Sequence, residues 1–245
     1  MDAVAGRRPV LEAVRSGAAR EVLVADGARP TPALRDILRA ARAAGVPVRR
    51  VPTDRVASVV PDARHQGVAA WVRAPRTLSE AEVARWRWPE DAMVVVLDGV
   101  TDPHNVGALA RTAEAAGASA LVLRRRRGAE LTSAAVRASA GALLHLPVAR
   151  VANLARVLER LRDRGFWVVG LDATAELALD DARPPPGPVA VVVGSEGQGL
   201  SRLVRETCDE LVAIPLRGRV GSLNVSVAAG VALFRLSRPG QESRG

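Results

Sequence analysis

The sequence predicts an α/β protein: a parallel sheet covered by helices on both faces, preceded by a smaller α/β unit. Three observations predict it. Short apolar runs alternate with segments whose apolar residues recur at helical spacing, the pattern of strand–helix–strand crossovers. The hydrophobic fraction is 48%, almost all of it aliphatic, which suits buried parallel strands. Glycine- and amide-rich corners follow three of the apolar runs, at the strand ends where open α/β sheets bind ligands.

The first unit covers residues 1–75. Val10, Leu11 and Val14 repeat at helical spacing, so residues 8–15 form an amphipathic helix. Residues 21–25 are a short apolar run stopped by Asp26-Gly27, a buried strand. Leu34, Ile37, Leu38 and Ala41 place a helix over residues 34–44, ended by Gly45 as helices commonly are. Residues 46–51 and 67–72 read as two further strands. No catalytic cluster appears in this half. Residues 76–92 change character, because Pro75, Trp86, Trp88 and Pro89 punctuate a polar stretch that reads as a helical linker.

The second unit covers residues 93–239. Strands are expected at 93–97, 120–123, 166–171, 189–193 and 211–214, and helices at 106–116, 154–164, 201–207 and 225–236. Residues 183–188 form a proline-rich loop rather than a boundary, and residues 240–245 are a tail expected to fray.

Composition narrows the function classes. The 245 residues carry 35 basic and 26 acidic side chains, a formal charge of +9 that favours a polyanionic partner. All the basic residues are arginines, a usage that also fits a biased base composition. The run at residues 124–127 reads as a solvated basic face. Aromatics make up only 2%, which argues against base-stacking platforms. Cys208 is the single cysteine, so there is neither an intrachain disulfide nor a cysteine-rich metal site, and it reads as a small buried residue. His65, His104 and His145 lack metal-ligand spacing, so no metal is expected. No apolar stretch reaches the ~18 residues of a membrane span, and the first residues do not resemble a signal peptide. A cytoplasmic protein without a membrane partner is the expectation.

The three corners carry the chemistry. The first, Asp98-Gly-Val-Thr-Asp-Pro-His-Asn-Val-Gly107, leads into a helix containing Arg111. Asn105 can donate and accept at once, although an asparagine here can equally satisfy loop backbone groups. The second, Gly194-Ser-Glu-Gly-Gln-Gly199, lets backbone approach a ligand closely. It is neither a Walker A loop nor a dinucleotide fingerprint, which disfavours a Rossmann oxidoreductase. Glu196 places negative charge where a phosphate would sit and suits a positively charged ligand such as a sulfonium. The third corner runs from Ile214 to Ser226. Ser222 and Asn224 can cap the following helix, and Leu223 between them suits an apolar wall.

Together, the stretches DPHNVGALARTAEAAGA, VVVGSEGQGLS and IPLRGRVGSLNVSVAAG resemble the three motifs of the SpoU/TrmH branch of the SPOUT methyltransferases, in the same order. GRRPVLEAV and HQGVAAWV resemble the L30e-like RNA-binding domain of the ribosomal-RNA members. The similarity is greatest to bacterial enzymes that methylate a guanosine ribose in 23S RNA. The resemblance implies a SPOUT α/β-knot: a parallel sheet with a deep trefoil knot, behind an L30e-like domain. It implies S-adenosyl-L-methionine as cofactor, held by Gly194, Ser195, Gly199, Ile214, Leu216, Ser222 and Leu223, and a homodimer acting on RNA. Asn105, Arg111, Glu196, Ser222 and Asn224 fall on the family's catalytic positions. Arg111 would stabilise the attacking ribose oxygen, with Asn105 and Glu196 orienting it. A tRNA ribose methyltransferase, a resistance-type 23S methyltransferase and an inactive RNA-binding module are the alternatives.

Overall fold

The computed structural model describes residues 2–61, 64–73, 77–126, 128–219 and 221–237. Pro75, Arg127, the expected limits at 75, 76 and 239, and the expected tail at 240–245 lie outside the described residues.

The smaller unit is a mixed four-stranded sheet. Its strands are β1 (Asp2–Ala5), β2 (Ala19–Ala25), β3 (Val48–Val51) and β4 (Val68–Val72), in the order β1-β4-β2-β3. β4 is antiparallel to both neighbours, and β2 and β3 are parallel. Three helices connect them: α1 (Arg7–Arg15), α2 (Pro32–Ala43) and α3 (Thr53–Val59). α1 buries Val10, Ala13 and Val14, the face its spacing predicted. α2 starts where Thr31 accepts from the Leu34 amide and Pro32 occupies the first turn, so the helix begins earlier than its apolar residues indicate. β1 and α3 were not expected. The four residues of β1 are too few to show a period, and α3 buries Val56 alone.

The larger sheet has eight strands, every adjacent pair parallel. They are β5 (Thr77–Leu78), β6 (Met93–Asp98), β7 (Ala120–Arg124), β8 (Val148–Val151), β9 (Trp167–Leu171), β10 (Leu177–Ala178), β11 (Val189–Gly194) and β12 (Glu210–Ala213). Their order is β10-β12-β9-β11-β6-β7-β8-β5. β6 is buried along its whole length because both its faces are covered. Val95 and Leu97 join Val191 and Val193 in a core beneath α5 (Pro103–Ala115), α6 (Ser133–Ala138) and α9 (Val225–Leu236). Val94 and Val96 join Ala190 and Val192 in a second core beneath α4 (Glu80–Arg85), α7 (Leu154–Arg162) and α8 (Arg202–Thr207). Each of these valine and leucine side chains contributes about 1.5–3 kcal/mol on burial, which makes β6 and β11 the centre of the sheet's core.

The stretch read as a linker adds to this layer instead. β5 pairs with β8 at the sheet edge, and α4 carries a capping box formed by Ser79 and Glu82. Trp86 and Trp88 pack on the second core, and Trp88 meets Phe166 edge-on with ring centroids 5.5 Å apart. The polar look of the segment reflects a two-residue edge strand, too short to show alternation. The smaller unit docks on the opposite face, where Val10, Val14 and Ile37 share one continuous core with Ala135 and Leu143, and Glu12 reaches His145 Nε2 at 3.3 Å.

Strand order decides where a site forms. β12, β9, β11 and β6 are consecutive and parallel, so their C-terminal ends share one edge of the sheet. The segments that leave them carry Ile214, Asp172, residues 195–199 and Asn105 respectively.

Candidate functional site

At the first corner α5 starts at Pro103, with Asp102 as its cap accepting from the His104 amide at 2.9 Å. Asn105 is therefore spared the capping role and turns toward the second corner. Its Nδ2 donates to Glu196 Oε1 at 3.3 Å. Asn224 Nδ2, from the third corner, donates to the same Glu196 oxygen at 2.8 Å and to Asn105 Oδ1 at 3.2 Å. The Val225 amide, at the start of α9, completes the set on Glu196 Oε1 at 3.2 Å. A carboxylate accepting three N–H groups at a helix N-terminus is a charge-assisted arrangement. Asn224 also caps α9, accepting from the Ser226 amide at 3.0 Å, so it both ends the loop and ties it to its neighbours.

The second corner is a tight hairpin. Ser195 and Gly199 exchange backbone hydrogen bonds at 3.1 and 3.0 Å. Gly194 lies against this hairpin so closely that a Cβ there would sit 2.2 Å from the Gly199 carbonyl carbon and 2.6 Å from the Leu200 nitrogen. Only glycine permits that approach.

Beside these corners lies a cleft of about 520 Å³. Gly194, Ser195, Glu196, Gly199, Ile214, Leu216, Ser222 and Leu223 line it. All seven residues expected to hold the cofactor thus border one space. Leu223 faces it as the wall that its position between two polar residues indicated. Asn105 and Asn224 stand outside the lining, joined to it through Glu196. Arg111 stands apart. α5 begins three residues before the expected start, which puts Arg111 in its third turn, exposed and without a hydrogen bond or ion pair among the described residues. The expectation that Asn105 and Glu196 orient Arg111 does not match these contacts, because the two amides and the carboxylate satisfy one another.

Asp172, Thr174 and Arg205 line the cleft too, and the sequence reading did not single them out. Asp172 follows β9, so the same strand-end rule that marked the other corners could have found it. Arg205 lies on α8 and had no signal. Its Nε pairs with Asp172 Oδ2 at 2.8 Å, and the Thr174 amide and hydroxyl donate to Asp172 Oδ1 at 2.8 and 2.6 Å. Burial pushes the Asp172 carboxyl up, but the Thr174 hydrogen bonds and the Arg205 charge outweigh it and hold the group below its ordinary value.

Cys208 ends α8, its Sγ 3.3 Å from the Val204 carbonyl oxygen, and a Cβ on Gly170 would meet it. Burial, aided by the charges of Asp209 and Asp98, pushes its thiol up to about 12, leaving no thiolate for covalent chemistry at neutral pH. His65 accepts from the Gly67 amide within its own turn. No cluster of three metal-binding side chains, and no helix long and apolar enough to cross a membrane, occurs among the described residues.

Comparison with known proteins places this geometry. Residues 92–234 match the SpoU rRNA Methylase family, and residues 3–78 match a domain described as RNA 2'-O ribose methyltransferase substrate binding. A Mycobacterium ulcerans protein named as an uncharacterized tRNA/rRNA methyltransferase is 42% identical over 240 residues, which are 97% of this chain and 77% of that protein. The crystal structure of an RNA 2'-O ribose methyltransferase is 30% identical with a TM-score of 0.79, covering 96% of this chain and 86% of the other. An AdoMet-bound rRNA methyltransferase from Sinorhizobium meliloti is 26% identical with a TM-score of 0.78, covering 96% and 86%.

Proposed function

The chain belongs to the SpoU rRNA methylase family, and on that premise we propose that it transfers a methyl group from S-adenosylmethionine to the ribose 2′-hydroxyl of a guanosine in 23S RNA. The observation that carries this reading is the meeting of three separate corners in the Asn105–Glu196–Asn224 network beside one cleft.

The cleft suits the methyl donor. Its volume of about 520 Å³ falls within the range of small-molecule sites. Leu171, Val193, Ile214, Leu216 and Leu223 offer apolar surface for an adenosyl group, and exposed glycine backbone offers hydrogen-bond partners. Glu196 and Asp172 suit a cationic ligand, and Arg205 suits a carboxylate. Bound there, S-adenosylmethionine supplies a methyl group on a sulfonium that is already a good leaving group, so no metal is required.

The chain's own residues address the nucleophile. Arg111 is exposed on α5 with no partner among the described residues, and a guanidinium, which stays protonated in proteins, is a poor base. It stabilises the developing 2′-alkoxide, while a substrate phosphate or water takes the proton. Asn105 and Glu196 hold the first and second corners in register. Asn224 fixes the third, and Ser222 meets the ribose at the cleft wall. Orientation in a preorganised site supplies much of the acceleration.

Substrate choice rests on the first unit. Residues 1–75 hold thirteen arginines against seven acidic residues, a charge suited to RNA phosphates. The presence of a substrate-binding domain is what favours ribosomal RNA over tRNA. The protein works in the cytoplasm as a homodimer. Val227, Val231 and Phe234 lie exposed along one face of α9 at 51%, 45% and 58%, and this apolar stripe is the surface a second copy would cover. The family's trefoil knot is part of the proposal.

The test is methyl transfer from labelled S-adenosylmethionine to protein-free 23S RNA, then alkaline hydrolysis. One labelled position protected from cleavage is expected. Label without protection would mean base methylation and refute the mechanism. Transfer to tRNA alone would replace the substrate, and no transfer to RNA or ribosomal particles would leave an RNA-binding module.

A further inference from the structure

The cofactor loop is closed by the Ser195–Gly199 backbone bonds and tied at Glu196 to Asn105, Asn224 and the Val225 amide. Residues 196–199 are exposed and include two glycines, and the loop is anchored again at its two ends. Both ends meet the C-terminal end of β6, at its last residue Asp98 and at Gly99 just after it. At one end, Gly99 adopts φ +78°, and a Cβ on it would lie 3.3 Å from Ser195 Cβ. At the other, Asp98, only 3% exposed, accepts from the Ser201 amide through Oδ2 at 2.7 Å. The second carboxylate oxygen of Asp98 is held by Arg124, with Nε at 3.1 Å and Nη2 at 2.9 Å. Arg124 Nη2 also donates to Ser201 Oγ at 3.1 Å.

These contacts explain two local features. Ser201 occupies the cap position of α8 without making a side-chain cap bond, because its hydroxyl is engaged by Arg124. Arg124 opens an arginine run whose next two members, Arg125 and Arg126, are exposed, whereas Arg124 turns inward onto a buried carboxylate. The run is therefore not a uniform solvated face. None of Asp98, Arg124 and Ser201 lines the cleft, yet they tie β6, β7 and the start of α8 into one rigid frame.

We propose that Asp98, Arg124 and Ser201 act as positioning residues that set the height of the 195–200 loop, so that affinity for the methyl donor depends on an ion pair outside its cleft. This rests on the reading of that cleft as the S-adenosylmethionine site. The three side chains stand outside the cleft lining, so their loss is expected to act through donor binding rather than through the chemical step. A buried carboxylate deprived of its partner also strains the fold.

The experiment titrates S-adenosylhomocysteine into purified full-length protein by calorimetry, alongside thermal melting and methyl-transfer kinetics. Arg124→Gln is expected to weaken binding about tenfold, and Ser201→Ala about threefold, the range for one charged and one neutral hydrogen bond. The KM for S-adenosylmethionine rises in step while kcat at saturation stays within about threefold. Arg202→Gln, which removes only an exposed pair with Glu206 on the same helix, leaves affinity unchanged. Should Asp98→Asn or Arg124→Gln fail to fold, the double variant Asp98→Asn/Arg124→Gln removes both charges together and takes its place. A folded Arg124→Gln or double variant that binds within twofold of wild type overturns the proposal. So does a loss of kcat with KM unchanged. A wild-type protein that binds no S-adenosylhomocysteine would overturn the cleft assignment itself, and the brace with it.

Discussion

Gly194→Ala tests the link between backbone packing and cofactor binding most directly. The added methyl would lie 2.2 Å from the carbonyl carbon of Gly199, 2.4 Å from its oxygen and 2.6 Å from the Leu200 nitrogen. All three are backbone atoms, so no side chain can swing aside. Restoring ordinary van der Waals contact requires the hairpin of residues 195–199 to move by about 1 Å. The cost to stability is that of overpacking, about 1–3 kcal/mol, which for a chain of this size lowers the melting temperature by roughly 2–10 °C. The cost to function is larger, because the displaced hairpin lines the cleft. A displacement of that size costs on the order of 100-fold where geometry is decisive. Calorimetric titration with S-adenosylhomocysteine, paired with a circular-dichroism melt, measures both. Gly197→Ala is the control: its φ of +85° strains an alanine, but a Cβ there meets nothing within 4 Å. It should lose stability of about 1–2 kcal/mol and less than tenfold in affinity. A folded Gly194→Ala protein with wild-type affinity would refute the reasoning.

Asn224→Ala removes the cap of α9 and both links to its neighbours, so urea unfolding should show a loss of about 1 kcal/mol while methyl transfer falls much further. Arg111→Lys keeps the charge but not the planar fork, and transfer should drop at least about tenfold with melting unchanged; near-full activity would contradict the role given to the guanidinium. Cys208 has a folded-state thiol raised to about 12 from 9.0, so the stability it contributes is complete below pH 9 and lost as pH rises from there toward 12. Urea titrations between pH 8 and 11 should therefore show a steeper alkaline loss in wild type than in Cys208→Ala. Phe234→Asp places charge on the exposed stripe of α9 and should yield a monomer by light scattering, with a melting temperature close to that of the parent subunit.

Local chemistry was legible in the sequence wherever it repeats within a few residues. The valine runs of β6 and β11 announced buried parallel strands, and the spacing of Val10 and Val14 announced the face of α1. Asn105, Glu196, Asn224 and the residues lining the cleft were legible as residue types in glycine-rich corners after strands. Elements of two to four residues, such as β1, β5 and β10, had no period to show. Three things were decided only by tertiary structure. Strand order β12-β9-β11-β6 places four loop ends on one edge and so recruits Asp172 beside corners far from it in the chain. Asn105 and Asn224 meet across 119 residues, which leaves Arg111 outside the network expected to hold it. Arg124 pairs with Asp98 across 26 residues and withdraws from the basic run it begins. Periodicity reports how a segment partitions between water and core, a property of the segment alone. Which segments become neighbours depends on the packing of the whole sheet, and with it the partner of every polar side chain at the edge.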